Sequence, residues 1–197
     1  MLLENKRVLI TGAGRGIGRQ TAIEMAKEGA VILGAGRRQA PLLEMAEQVQ
    51  QLGGQSYIAT MDIADYDMSK QAIDALAAEA GGIDILVHCA AIFEEAFFTD
   101  MTPEQWQRTI SIDLNGAYNV IHSAIPYIIK AKGSVVSVVS QDAFYGCPGY
   151  SHYSASKAAV VGLTRTLARE LGPSGVRLNC VAPGITETEM TRERIAD

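Results

Sequence analysis

Tyr153-Ser154-Ala155-Ser156-Lys157 opens a stretch of helical composition. Positions i and i+4 share a helix face, so the phenol and the ammonium become neighbours. A tyrosine with a reference pKa of about 10 is a poor base at neutral pH, and a nearby ammonium favours its phenolate. Tyr153 could then hand a proton to a carbonyl oxygen or take one from an alcohol. Ser140 stands thirteen residues earlier, at the end of a β-branched run. A hydroxyl there can hold a substrate oxygen and stabilise charge as it develops. Singly these signals are weak, because most Tyr–Lys pairs lie on surfaces and most strand-end serines form turns.

Their weight comes from an upstream loop, Thr11-Gly12-Ala13-Gly14-Arg15-Gly16-Ile17-Gly18. Its spacing is TGxxxGxG, neither GxGxxG nor a Walker loop. Glycines at 12, 16 and 18 allow a tight turn, backbone approach to a pyrophosphate and close helix–strand contact. The following helix N-terminus offers unpaired N–H groups and a partial positive charge. An ordinary glycine-rich turn is the alternative. The second apolar run ends Gly36-Arg37-Arg38. An acidic side chain there would favour NAD, whereas an arginine accommodates a 2′-phosphate. Arg37, with Arg15 near it, points to NADP(H), with NAD(H) as second choice; solvated arginines opening a helix would look the same. Asp62, with Ile63 after it, follows the third run and is placed either to accept from an adenine amino group or to cap a turn.

These residues need strands that end beside one another. Short β-branched runs over Arg7–Thr11, Ala30–Leu33, Ser56–Met61, Ile83–Cys89, Ser134–Ser140 and Val176–Val181 read as strands. Helical patterns cover 16–28, 41–52, 67–80, 103–129 and 153–171. Such alternation favours parallel strands and right-handed crossovers: a single doubly wound α/β sheet over residues 1–197, with sites beyond the strands' carboxyl ends.

Composition excludes other classes. The chain has 197 residues, 17 Lys+Arg against 22 Asp+Glu, and a formal net charge of −5. Mild acidity gives no case for a nucleic-acid partner. No apolar run reaches the ~18 residues of a membrane span, and the opening MLLENKR does not read as a signal peptide. Cys89, Cys147 and Cys180 form no CxxC pair, so neither a metal site nor a disulfide framework is expected, and a cytoplasmic location fits best.

From TGAGRGIG through Ser140 and the YSASK block to Pro183-Gly184 and Thr188, the chain resembles the short-chain dehydrogenase/reductase family over essentially its whole length. The resemblance implies a three-layer Rossmann-type fold and an NAD(P)-dependent enzyme that interconverts a secondary alcohol and a ketone. It implies that Ser140 orients substrate, that Tyr153 is the acid/base, and that Lys157 lowers the tyrosine pKa and binds ribose. Gly12, Gly16, Ile17 and Gly18 would hold the pyrophosphate, Asp62 and Ile63 the adenine, and Ala90 the ribose. Pro183, Gly184, Ile185 and Thr188 would meet the nicotinamide. A homodimer or homotetramer is implied too, built on helices including 153–171, whose Ala155, Ala158, Ala159 and Gly162 permit close approach. Packing of those residues on the chain's own sheet is the alternative.

The sequence departs from the family in three places. His88-Cys89-Ala90-Ala91 replaces Asn-Asn-Ala-Gly, and packing roles are expected for His88 and Cys89. Asp113 stands where the family has a catalytic asparagine. Asn115 is ~200° round a helix from it and cannot substitute; an ionised Asp113 accepts hydrogen bonds but donates none. Relatives also continue with a substrate-covering segment and one more strand, so a shortened form is expected, with 176–181 on a sheet edge. The loops 92–100 and 141–152, carrying Glu94, Glu95, Phe97, Phe98, Asp142, Phe144, Tyr145 and His152, are expected to line the substrate site. They fit a polyol, a sugar or a 3-oxoacyl thioester. A cofactor-binding module without turnover is the rival reading.

Overall fold

The computed structural model describes residues 1–189 and 191. Six strands, β1 (Arg7–Thr11), β2 (Val31–Gly36), β3 (Ser56–Thr60), β4 (Ile85–His88), β5 (Ser134–Val138) and β6 (Arg177–Val181), form one parallel sheet in the order β3-β2-β1-β4-β5-β6. Helices α1 (Gly16–Lys27), α2 (Gln39–Gln51), α3 (Tyr66–Ala80), α4 (Pro103–Thr109), α5 (Gly116–Ala131), α6 (Asp142–Tyr145) and α7 (Ser151–Leu171) connect them. The strands are too apolar to alternate because both faces are covered. One face buries Val8, Ile10 and Ile32 with residues of α1 and α2, such as Ala22, Leu42 and Met45. The other buries Leu9, Leu33, Leu86, Val135 and Leu178 with residues of α3 and α5, such as Ile73, Leu76, Val120 and Ile128.

Side-chain caps set several joints. Asp65 accepts from the Met68 amide to open α3, and Thr102 makes a reciprocal capping box with Gln105, with Pro103 next to it, to open α4. Arg7 holds Asp84 at 2.7 Å, pinning the start of β1 to the turn before β4. Chain order reverses between β1 and β4, so their carboxyl ends diverge into the crevice where such sheets bind ligands.

Two expectations needed correction. The helix expected over 103–129 is broken by a π-turn at Ile110–Asn115. There Asp113 turns inward to accept the Ile92 amide at 2.9 Å, and Gly116 packs so tightly that a Cβ would lie 2.8 Å from Ile63 Cδ1. The small helix α6 was not foreseen: four residues are too few to show a period. Among the described residues, β6 lies at the sheet edge.

Candidate active site and cofactor groove

Two adjoining cavities run along the carboxyl ends of the strands and share Gly12, Arg15, Ala90 and Ala91. One extends over β2 and β3 and is lined by Arg37, Arg38, Asp62 and Ile63. The other extends over β5 and is lined by Gly16, Ile17, Gly18, Ser140, Tyr153, Lys157, Pro183, Gly184, Ile185 and Thr188. All the candidate residues except Asp113 therefore line one continuous groove.

The glycine loop has the shape that a pyrophosphate needs. Gly12 sits at φ 68°, and a Cβ there would come within 3.0 Å of the Ala90 nitrogen. A Cβ on Gly18 would collide with the Gly12 carbonyl oxygen. The α1 N-terminus has no side-chain cap, so its first amides are left for a ligand. Arg15, Arg37 and Arg38 are exposed. Arg19, by contrast, is committed to the Gly14 carbonyl and to Glu44. Asp62 does cap its own turn, accepting the Ala64 amide at 3.0 Å, while still lining the groove. Sequence reasoning missed Asn119, which donates to the Ile63 carbonyl at 2.8 Å and fixes that shelf from α5; one buried amide on an apolar helix carries no recognisable signal.

At the other arm, α7 brings Tyr153 and Lys157 onto one face, with Nζ 5.5 Å from the phenol ring centroid. Lys157 is buried and donates to the Val138 carbonyl at 3.3 Å. Burial lowers its pKa, opposed chiefly by the Asp113 carboxyl. Tyr153 is pushed up to about 12, first by burial and then by Asp113, with a hydrogen bond from Ser140 pulling the other way. The direction is opposite to the expected depressed phenol, and its largest causes are desolvation and the Asp113 carboxyl. Asp113 lies fully buried behind the groove wall, its carboxyl raised to about 6 by burial against the pull of Lys157. Asn115 is exposed, on the far side as the helical angle required.

The substrate loops were only partly foreseen. Ala96 donates to the Gly149 carbonyl at 2.8 Å, tying the two loops together. Phe93, Gln141 and Asp142 reach the groove, but Phe97, Phe98, Phe144 and Tyr145 project outward. His152 is buried outside the lining, and Glu94 pairs with Arg108 at 3.1 Å. Phe93 stacks on Tyr150 at 4.2 Å and meets Tyr153 edge-on at 4.8 Å. A single aromatic in a loop gave no sequence signal for that contact.

The fold and groove define a Rossmann-like α/β protein with a tyrosine and a lysine together in the crevice beyond its strands. The family model described as short chain dehydrogenase matches residues 6–197, and the chain belongs to that family. It is 38% identical over 194 residues to the 3-oxoacyl-(acyl-carrier-protein) reductase FabG of Thermotoga maritima, covering 98% of this chain and 79% of that one. It is 34% identical to the L-rhamnose 1-dehydrogenase (NAD(P)+) of Azotobacter vinelandii, covering 100% and 79%. A short chain dehydrogenase from Burkholderia cenocepacia, solved in complex with NADP, superposes with a TM-score of 0.92 at 34% identity, covering 96% and 78%. The protein is thus an NAD(P)-dependent oxidoreductase of the short-chain family.

Proposed function

We propose that this chain is an NADP(H)-dependent oxidoreductase that interconverts a secondary alcohol and a ketone. The observation that carries the reading is one continuous groove holding a glycine cradle at its centre and Ser140, Tyr153 and Lys157 at one arm. The bound nicotinamide would supply hydride to the carbonyl carbon or take it from the alcohol. Tyr153, kept protonated by its surroundings, gives its proton to the developing alkoxide in the reductive direction. Ser140 holds the substrate oxygen, and its Oγ also accepts from the Asp142 amide at 3.1 Å. Lys157 binds the cofactor ribose and balances charge beneath the phenol. Asp113 acts through Lys157 and the Ile92 amide and does not touch substrate. Arg15, Arg37 and Arg38 support a preference for the 2′-phosphate of NADP(H).

The substrate is a ketone or secondary alcohol, and the names of a 3-oxoacyl thioester reductase and a sugar dehydrogenase among the relatives keep a thioester, a sugar and a polyol as its candidates. A second copy of the chain is the expected partner, because Ala155, Ala158, Ala159 and Gly162 are all exposed along α7. A cytoplasmic setting suits the scattered cysteines.

The test is reduction of a panel of acetoacetyl thioesters, sugars and polyol-derived ketones with NADPH by the purified chain and by Tyr153→Phe. Turnover of at least one ketone should fall by about 10²–10⁴-fold in the variant while NADPH affinity stays within about twofold. Equal turnover by both proteins would overturn the assignment of Tyr153. NADPH binding with no turnover across the panel would support a binding module.

A further inference from the structure

At the junction of β1 and β4, a buried histidine holds a hydroxyl that the cofactor groove depends on. Thr11 and His88 end their strands as register partners. Both are buried. Thr11 Oγ1 has three neighbours: His88 Nδ1 at 2.9 Å, the Cys89 amide at 3.2 Å and the Ala90 amide at 3.3 Å. A hydroxyl has one proton and two acceptor sites. The two amides can only donate, the Cys89 amide sharing its proton with the Thr11 carbonyl at 3.3 Å; with both amides on the hydroxyl, its own proton has Nδ1 as its destination. Nδ1 is then an acceptor, and a neutral ring carries its proton on Nε2, which is buried and has no hydrogen-bond partner among the described residues.

We infer that His88 is a positioning residue of the cofactor groove: a neutral Nε2–H imidazole that orients Thr11 and so fixes the Cys89–Ala90 turn.

Neutrality follows from the surroundings as well as from the bond count. Burial and the nearby Lys157 ammonium on α7 drive the imidazole down to about 3. An imidazolium would carry protons on both nitrogens and oppose the Thr11 hydroxyl. The position of the turn matters because Ala90 lines both arms of the groove. Its nitrogen already stands within 3.0 Å of where a Gly12 Cβ would lie, so turn and glycine loop are set close across the crevice. If His88 loses its acceptor, the hydroxyl rotates and the Ala90 amide loses its partner, while the Cys89 amide keeps the Thr11 carbonyl. The turn then relaxes against the loop that must receive the pyrophosphate and ribose.

The inference rests on the cofactor reading of the groove, and its test separates the two. Nitrogen-15 spectra of the intact chain distinguish protonated from unprotonated ring nitrogens, and comparison with His88→Asn identifies the His88 signals among the three histidines. The expected result is an unprotonated Nδ1 and a protonated Nε2, unchanged between pH 5 and pH 8. NADPH titrations then compare wild type, His88→Leu and Thr11→Val. Each substitution should weaken binding by about tenfold, with kcat at saturating cofactor falling less. The double variant should lose no more than either single one, and His88→Asn, which still offers an acceptor, should recover part of the loss. A proton on Nδ1, an imidazolium at pH 5, or a folded His88→Leu protein with unchanged NADPH affinity would overturn the inference. Failure of the wild-type chain to bind NADPH or NADH would overturn the positioning role together with the cofactor reading, while the nitrogen spectra would still decide the tautomer.

Discussion

The arm of the groove around Arg15, Arg37 and Arg38 and the arm around Tyr153, Lys157 and Asp113 bind by different means. In the first, the polar groups are backbone amides, exposed guanidiniums and the half-buried Asp62 carboxyl, and no fully buried charge is involved. In the second, a lysine and an aspartate are buried within each other's field, and a tyrosine is displaced far from its ordinary pKa. In the proposed function the first arm recognises charge brought by a ligand. The second holds charges in the interior in advance, so the proposed catalysis and the stability are coupled there and nearly independent in the other arm.

Lys157→Met should break that coupling most severely. Turnover of any ketone substrate should fall at least ~100-fold, as expected for losing a group in the proton-transfer site. Because burial disfavours the ammonium, the folded variant should melt no lower than wild type in a thermal scan at pH 7. A dead enzyme that is also destabilised would show that the lysine is structural.

Asp113→Asn tests the same arm through pH. Burial lifts the carboxyl to about 6 from an ordinary 3.8, so the folded state holds this proton more tightly than the unfolded chain. Stability from this group is present below about pH 4 and lost as pH rises through about 6. The amide removes that loss, worth at most ~3 kcal/mol at about 1.4 kcal/mol per unit. Melting temperatures should therefore favour the variant at pH 8 by several degrees and converge at pH 4. A gain independent of pH would rule out the carboxylate as the cause.

Gly18→Ala probes the cradle, where the added methyl meets the Gly12 carbonyl oxygen. Overpacking of this kind costs about 1–3 kcal/mol, which should appear both in the melting temperature and in NADPH affinity. Arg37→Ala should have the smallest effect: about tenfold weaker NADPH binding, from one charge-assisted contact, with NADH affinity and melting temperature unchanged. Equal losses for both nucleotides would place Arg37 away from the 2′-phosphate.

Features set by short spacings were legible in the chain itself. The six strands, the glycine loop and the Tyr153–Lys157 pair follow from runs of a few residues, and the structure brings them to one crevice. That Asp113 and Asn115 face different ways was also legible, since two residues along a helix reverse the face; that Asp113 lies buried outside the groove lining was not. Depth was not legible. The raised Tyr153 pKa comes from burial and from Asp113, forty positions away in the chain, neither of which a local spacing reveals. His88, read as a packing residue, is tied to Thr11, a contact that needs the register of two strands separated by 77 positions. The π-turn escaped notice because one wide turn leaves the hydrophobic period on either side intact.

That π-turn has a consequence for comparing sequences. A wide turn accommodates a residue that an unbroken α-helix would have no room for, and each residue of an α-helix is worth ~100° of rotation. Deleting one position between Ile110 and Asn115 would let α4 run straight into α5 and swing every later side chain of α5 by about a quarter-turn. Asn119 and Gly116 would leave Ile63 together. A gap-free alignment through this stretch therefore pairs equivalent residues only with proteins that share the wide turn, and elsewhere a one-residue offset is the correct correspondence.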